Sequence, residues 1–461
     1  MTTMPLTDAL FLLGERRERP LHVGGLHLYR PPEDAGPNYV AELYRSAIEH
    51  GDLLAKLRRR PVRRLGGLGP WEWRDDPDLD LEYHLRHSAL PRPGRIRELL
   101  ALVSRLHGTL LDRNRPLWEA HVIEGLADGR FASYTKIHHA VVDGVSAMRL
   151  LERGLTTDPD ARDMPPPLAE RPRSSDDPDE STGGFDPLHA VGSAASTALD
   201  LARGAIGASD AAVRGLVRSF NEQAATFPFR APQTMLNVPI TGARRFAADS
   251  WEIDRLRTVA KGLGGTLNDV VLAMCGGALR AYLAELGGLP EEPLIAMVPV
   301  SLRADDDDGT AGNLVGVILC NLGTHIADPL ERFELVHESA EIGKLQLKGL
   351  NQMGAMLLSA MSFSGLGLGP MYRFEQLRHP PFNIVISNVP GPRERLYWNG
   401  AELDGMYPAS VPFDGQALNI TCTSYAGEMG FGLVGCRRSA PSLQRLLEHL
   451  ETSLADLEAV A

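Results

Sequence analysis

Cysteine is scarce: Cys275, Cys320, Cys422 and Cys436 are the four in 461 residues. They are widely spaced and form no CxxC pair, which excludes a paired-cysteine zinc or redox motif and fits a reducing compartment. Met1-Thr2-Thr3-Met4-Pro5 lacks the basic-then-apolar pattern of a secretory leader. No strongly apolar run of about 18 residues is evident, so a membrane-spanning helix is not expected. A Gly-x-Ser-x-Gly elbow is also missing, and no cysteine sits in an obvious nucleophile setting, so covalent acyl-enzyme chemistry is not indicated. Positive charge is in deficit, with a formal net charge of -12. That balance argues against nucleic acid as a partner, because phosphate binding needs clustered Lys and Arg. Short-period repeats are absent as well.

What remains is the composition of a globular protein, 43% hydrophobic and 23% charged, without the signature of disorder. The length predicts more than one domain around a large core. Two segments stand out. Arg58-Arg59-Arg60-Pro61-Val62-Arg63-Arg64 reads as a solvated surface or a dock for anionic headgroups. Gly349 to Tyr372 carries no charge and reads either as core or as a lipid-facing patch.

Helices are expected over Leu6 to Gly14, Tyr39 to His50, Ile96 to Leu111 and Val145 to Leu155. Strands are expected over His22 to Tyr29, Trp118 to Gly125 and Phe131 to Ile137. Prolines crowd Asp158 to Pro187, marking a linker, followed by an Ala-rich helical connector from Leu188 to Phe220. Thr266 then caps an amphipathic helix carrying Val270, Val271, Met274, Ala278, Leu279, Tyr282, Leu283 and Leu286. Strands at Leu294 to Val300, Leu314 to Leu322, Phe382 to Ser387, Ala417 to Ser424 and Met429 to Cys436 precede a helix from Leu443 to Leu457. The class is mixed α/β (α+β), in three parts: 1–157, 158–230 and 231–461.

Chemistry concentrates at His138-His139-Ala140-Val141-Val142-Asp143-Gly144. A strand leads into it and a helix leaves it, with Asp143-Gly144 as a turn. Neighbouring side chains on extended backbone point oppositely, so one imidazole should reach a reacting group while the other is held inside. An imidazole suits a general base because its ordinary pKa lies near working pH. A metal site built from His138, His139 and Asp143 is disfavoured by that divergence and by the absence of a third His at ligand spacing. Two histidines beside an Asp-Gly turn also fit plain core and turn roles.

The seven-residue segment resembles the HHxxxDG signature of the CoA-dependent acyltransferase superfamily. Four further segments follow the same order as in one branch of it: Arg115-Pro116-Leu117-Trp118-Glu119, Leu267-Asn268-Asp269-Val270-Val271-Leu272, Pro299-Val300-Ser301-Leu302-Arg303 and Ser387-Asn388-Val389-Pro390-Gly391-Pro392. Together they resemble the bacterial-type wax ester synthase/diacylglycerol acyltransferase family from about residue 6 to the C-terminus, weakest across the linker. The resemblance implies two chloramphenicol acetyltransferase-like domains with a channel between them. It implies His139 as base, His138 as support, and Asp143 holding the loop by an ion pair, with Arg303 one candidate partner. Asn268 and Asp269 are implied in activity, Asn268 positioning acyl chain or oxyanion, although both also suit the first turn of a helix. Ser387 or Asn388 would donate to an oxyanion, Gly144 at the turn would contact substrate, and Trp118 would shape the substrate site from the core.

Acyl-CoA is then the co-substrate, with no separate cofactor. A fatty alcohol or a diacylglycerol is the acceptor. The expected setting is cytoplasmic, peripheral on the inner membrane or on lipid inclusions. Alternatives of other classes are a condensation-type enzyme taking acyl groups from a carrier protein, disfavoured by the lack of a fused carrier domain, and a non-catalytic lipid-surface protein.

Overall fold

Strands buried along nearly their whole length build two six-stranded sheets, each covered by helices. The structure, a computed structural model, describes residues 2–50, 53–63, 69–142, 144–169, 226, 230–301, 315–349 and 379–461. The helical connector expected over 188–220, the uncharged stretch from 350 onward, Asp143, Arg64 and Arg303 lie outside the described residues.

The first sheet contains β2 (His22–Arg30), β5 (Leu85–Ala89), β6 (Trp118–Glu124), β7 (Phe131–His138), β12 (Tyr397–Trp398) and β13 (Ala401–Ala409), in the spatial order β12-β13-β2-β7-β6-β5. The second contains β8 (Arg244–Glu252), β9 (Ile295–Ser301), β10 (Val315–Asn321), β11 (Ile384–Val389), β14 (Leu418–Tyr425) and β15 (Glu428–Cys436), in the order β10-β9-β11-β14-β15-β8. β1 (Thr2–Thr3), β3 (Arg59–Arg63) and β4 (Trp71–Asp75) form a third, small sheet. The basic run is thus largely strand, its charges partly answered by Asp75, 3.2 Å from Arg59, and Asp76, 3.7 Å from Arg60.

Sheet membership crosses the linear division of the chain. β13 lies far along the sequence yet pairs antiparallel with β2, with Pro408 opposite Gly25 and Met406 opposite His27. The two sheets then approach closely: a Cβ on Gly432 would meet the Pro408 carbonyl oxygen at 1.7 Å. No side chain fits there, so glycine in β15 is what lets the second sheet seat against β13.

Four helices back the second sheet: α5 (Ile253–Gly262), α6 (Leu267–Glu285), α7 (Pro329–Gly349) and α8 (Arg445–Glu458). The apolar face read after Thr266 becomes α6, whose Val270, Met274 and Leu283 are fully buried against Ile384, Ile386 and Ile420 of the sheet and Leu450 of α8. Each such side chain stabilises the fold by about 1.5–3 kcal/mol. By length and composition α6 could cross a bilayer, which the sequence reading did not anticipate. In the folded chain its apolar surface is instead taken up by the sheet and the neighbouring helices. The helices α1 (Leu6–Gly14), α2 (Tyr39–His50), α3 (Ile96–His107) and α4 (Gly144–Glu152) belong to the first half. α3 ends at His107, four residues short of the expected Leu111.

Candidate active site

β7 runs into the histidine pair and the ladder continues one step past the strand, where the His139 N–H donates to the Leu21 carbonyl at 2.9 Å. That bond fixes the backbone at the histidine pair. His138 is fully buried, while His139 is half-buried. The His139 ring lies flat against Phe11 of α1, centroids 4.5 Å apart and planes 11° from parallel.

His138 anchors the turn. The Ala140 N–H donates to its Nδ1 at 3.0 Å, so the ring proton resides on Nε2. Nε2 faces Glu15 Oε1 at 3.4 Å. Glu15 in turn accepts from the Leu21 N–H at 3.1 Å and from Arg113 Nη2 at 3.0 Å. Burial pushes the Glu15 carboxyl up, but His138, the Leu21 N–H and Arg113 outweigh it and leave the group below its ordinary value. The Arg113–Glu15–His138 line thus ties α1, the segment before β6 and the end of β7 into one support beneath His139. Sequence reasoning missed Glu15 and Arg113. Neither belongs to a motif, and nothing local marks a glutamate just past a helix end as the partner of a distant histidine.

A second buried network runs beside it. His107 Nε2 lies 2.9 Å from the Ser410 carbonyl, which makes it the donor and leaves Nδ1 to accept from the Tyr134 hydroxyl at 2.8 Å. Burial drives His107 down to about 3 and His22, 2.8 Å from the His107 carbonyl, well below its ordinary value. Both rings are therefore neutral at working pH and tie the end of α3 to β2, β7 and Ser410.

Between the sheets lies a cavity of about 80 Å³. Its walls include Val23, Gly25, Thr135 and Ile137 from the first sheet, and Ser387 and Thr421 from the second. Thr135 and Ile137 of β7 line this space; His139, in the turn just past β7, is not itself among the cavity's walls. Ser387 is brought to the same space from β11; Asn388 is not among the cavity's walls.

The other expected residues have structural positions. Trp118 is 1% exposed; its Nε1 donates to the Leu57 carbonyl at 2.8 Å, and its ring stacks on His84. Gly144 opens α4. Asp269 is fully buried in the first turn of α6, where Oδ2 accepts from the Thr266 N–H at 2.8 Å and faces His337 Nδ1 at 2.8 Å. It is a helix cap and a link to α7, and neither it nor Asn268 is among the described walls of the cavity. Replacing Asp269 by alanine is expected to cost about 1–2 kcal/mol of stability through the lost cap. Denaturant melts and kinetics on the same variant check this: a raised KM at wild-type stability would give Asp269 a substrate role instead. Among the described residues, no group of three His, Cys, Asp or Glu side chains is arranged to hold a metal.

Comparison with known proteins settles the lineage. The wax ester synthase/diacylglycerol acyltransferase catalytic domain matches residues 4–271, and the C-terminal domain of the same family matches residues 311–458. The chain belongs to this family. A Mycobacterium tuberculosis protein named as a diacylglycerol O-acyltransferase is 50% identical over 99% of both chains. A second from that organism, similarly named, is 49% identical over 98% of both. The solved wax ester synthase/diacylglycerol acyltransferase of Marinobacter aquaeolei VT8 is 43% identical, with a TM-score of 0.77 over 99% of each chain. The first condensation domain of the CDA synthetase shares the fold at 16% identity, with a TM-score of 0.55 over 100% of this chain and 95% of that one. Two-domain acyltransferase architecture and membership of the wax ester synthase/diacylglycerol acyltransferase branch therefore stand as expected from the motifs.

Proposed function

We propose that this chain transfers a long-chain acyl group from acyl-CoA to the hydroxyl of a fatty alcohol or a diacylglycerol, with His139 as general base. One observation carries the assignment of the base. Of the two adjacent imidazoles, His139 alone is partly open, while His138 is buried and spent on support.

The reaction balances without a covalent enzyme intermediate. His139 takes the acceptor's hydroxyl proton as the oxygen attacks the thioester carbonyl. The tetrahedral oxyanion collapses, the carbon–sulfur bond breaks, and the imidazolium returns its proton to the departing thiolate. Ser387, on the cavity wall, would donate to the oxyanion. Both lipid substrates partition into membranes and lipid inclusions, so a peripheral position on such a surface belongs to the same reading.

Thiol release from a long-chain acyl-CoA, followed with and without 1-hexadecanol or a diacylglycerol, tests the proposal. Release should require the acceptor and keep step with ester formation. Purified protein showing no acceptor-dependent release would remove the acyltransferase reading.

A further inference from the structure

Positive charge is scarce over the whole chain, whose net charge is -12, yet it gathers at one junction. After α1 the chain makes a tight turn in which Arg16 and Arg19 exchange backbone hydrogen bonds at 3.2 and 2.9 Å. Three further segments close on that turn. A Cβ on Gly242 would stand 2.5 Å from the Arg17 carbonyl oxygen, and a Cβ on Gly108, at the end of α3, 3.0 Å from the Gly242 carbonyl oxygen. The Arg437 N–H donates to the Ala243 carbonyl at 3.0 Å, and Arg438 Nη2 donates to the Pro239 carbonyl at 3.0 Å. Two buried guanidinium groups lock the junction: Arg19 donates to the Gly14 carbonyl at 2.6 Å, and Arg244 to the Glu18 carbonyl at 2.9 Å.

Around these locked segments Arg16, Arg17, Arg105, Arg437 and Arg438 are exposed. None of them forms an ion pair with a described acidic side chain. Arg59 and Arg60 of the small sheet, by contrast, have Asp75 and Asp76. Two acids stand at the junction: Glu18, in the turn itself, and Asp414, which faces Arg19 at 3.7 Å. Apolar side chains flank the arginines. Leu13, 51% exposed, precedes the turn, and Leu110, 36% exposed, follows α3. Their chain neighbours Leu12 and Leu111 are buried in one cluster with Ala140, the residue after His139. The turn itself ends two residues before Leu21, whose carbonyl holds the His139 N–H. Unanswered arginines and exposed leucines thus flank the segments that hold the base.

We propose that this face docks on a bilayer surface carrying anionic phosphate headgroups, with the arginines against the headgroups and Leu13 and Leu110 inserted among the acyl chains. Charge complementarity carries the choice of partner. An acidic chain is repelled by an anionic surface except through a face where its cations are unpaired, so docking also fixes the orientation. Each arginine near such a surface strengthens binding by about fivefold. The proposal rests on the acyltransferase reading, because it brings the segments around His139 to the phase that dissolves both lipid substrates.

The test is co-sedimentation, without turnover, with vesicles of phosphatidylcholine alone and of phosphatidylcholine mixed with phosphatidylglycerol. Wild type should prefer the anionic vesicles, and added salt should weaken that preference. Arg16→Glu with Arg17→Glu, or Arg437→Glu with Arg438→Glu, should lower partition onto them by about tenfold or more. Arg257→Glu, on α5 behind the second sheet, should leave it unchanged. Leu13→Ser with Leu110→Ser should lower partition by about tenfold even at high salt. Should a charge reversal fail to fold, the corresponding pair of Arg→Gln changes replaces it. In neutral detergent micelles, where no anionic surface is offered, every variant should keep the wild-type kcat/KM. Wild type that binds both vesicles alike, or reversals that bind as wild type does, would overturn the docking face. Reversals that spare vesicle binding but raise KM for acyl-CoA in micelles would assign these arginines to the phosphates of the donor and overturn it too. Absence of acceptor-dependent thiol release in micelles would sink the acyltransferase reading instead, since vesicle binding is read without turnover.

Discussion

Replacing His139 by alanine lowers kcat by about 10²–10⁴-fold, the range that a positioned imidazole base contributes. The fold should survive, because the half-buried ring supports no other group beyond its stacking on Phe11 and whatever its polar atoms meet at the site. Losing a stacked pair costs about 0.5–1.5 kcal/mol beyond its area, which is small against the stability of a chain of this size. Rate and stability should therefore separate: thiol release collapses while the denaturant midpoint moves little. A variant within a few-fold of wild-type kcat would show that the proton leaves the hydroxyl by another route.

Glu15→Ala has the opposite profile, with stability as its first casualty. The Glu15 side chain is 1% exposed, His138 is fully buried, and Arg113 is 36% exposed. Removing one partner from a buried charged network costs about 3–5 kcal/mol. The lower end applies here, because Arg113 can turn its guanidinium to water while His138 cannot. The pH dependence follows from the sign of the shift. The Glu15 carboxyl lies below its ordinary value in the folded chain, so its contribution is complete above that ordinary value and is lost as pH falls through the folded one. The stability gap between wild type and Glu15→Ala, taken from denaturant melts, should be wide at neutral pH and narrow on acidification. Glu15→Gln, which keeps the shape and an acceptor oxygen, should recover part of it. A gap that is small at neutral pH, or that does not change with pH, would mean that Glu15 does not hold the turn.

Much of this was legible in the chain because local pattern and tertiary role agree. The Thr266 cap and the apolar stripe behind it give α6 unambiguously, since the cap chemistry and the buried face are both written in consecutive residues. The different burial of the two histidines could be expected from strand geometry alone, and His138 is fully buried while His139 is half-buried. β13 was not legible. Gly405 and Pro408 weaken its strand signal, a bulge falls between Leu403 and Gly405, and its partner β2 lies at the other end of the chain. Asp269 shows a different limit. An aspartate in a first helical turn fits a cap and a substrate contact equally well, and the contact with His337 that gives it a structural role is set by how two helices pack. Glu15 and Arg113 were invisible for the same reason: their meaning arises only when α1, the approach to β6 and the end of β7 converge.

The central claim is that one imidazole removes the acceptor's proton. The measurement closest to it is the pH dependence of kcat/KM for the alcohol, in wild type and in His139→Gln. Wild type should rise with unit slope at acid pH and bend to a plateau as the imidazole loses its proton, and the bend should vanish in the variant. A variant that kept the same bend would place the base elsewhere.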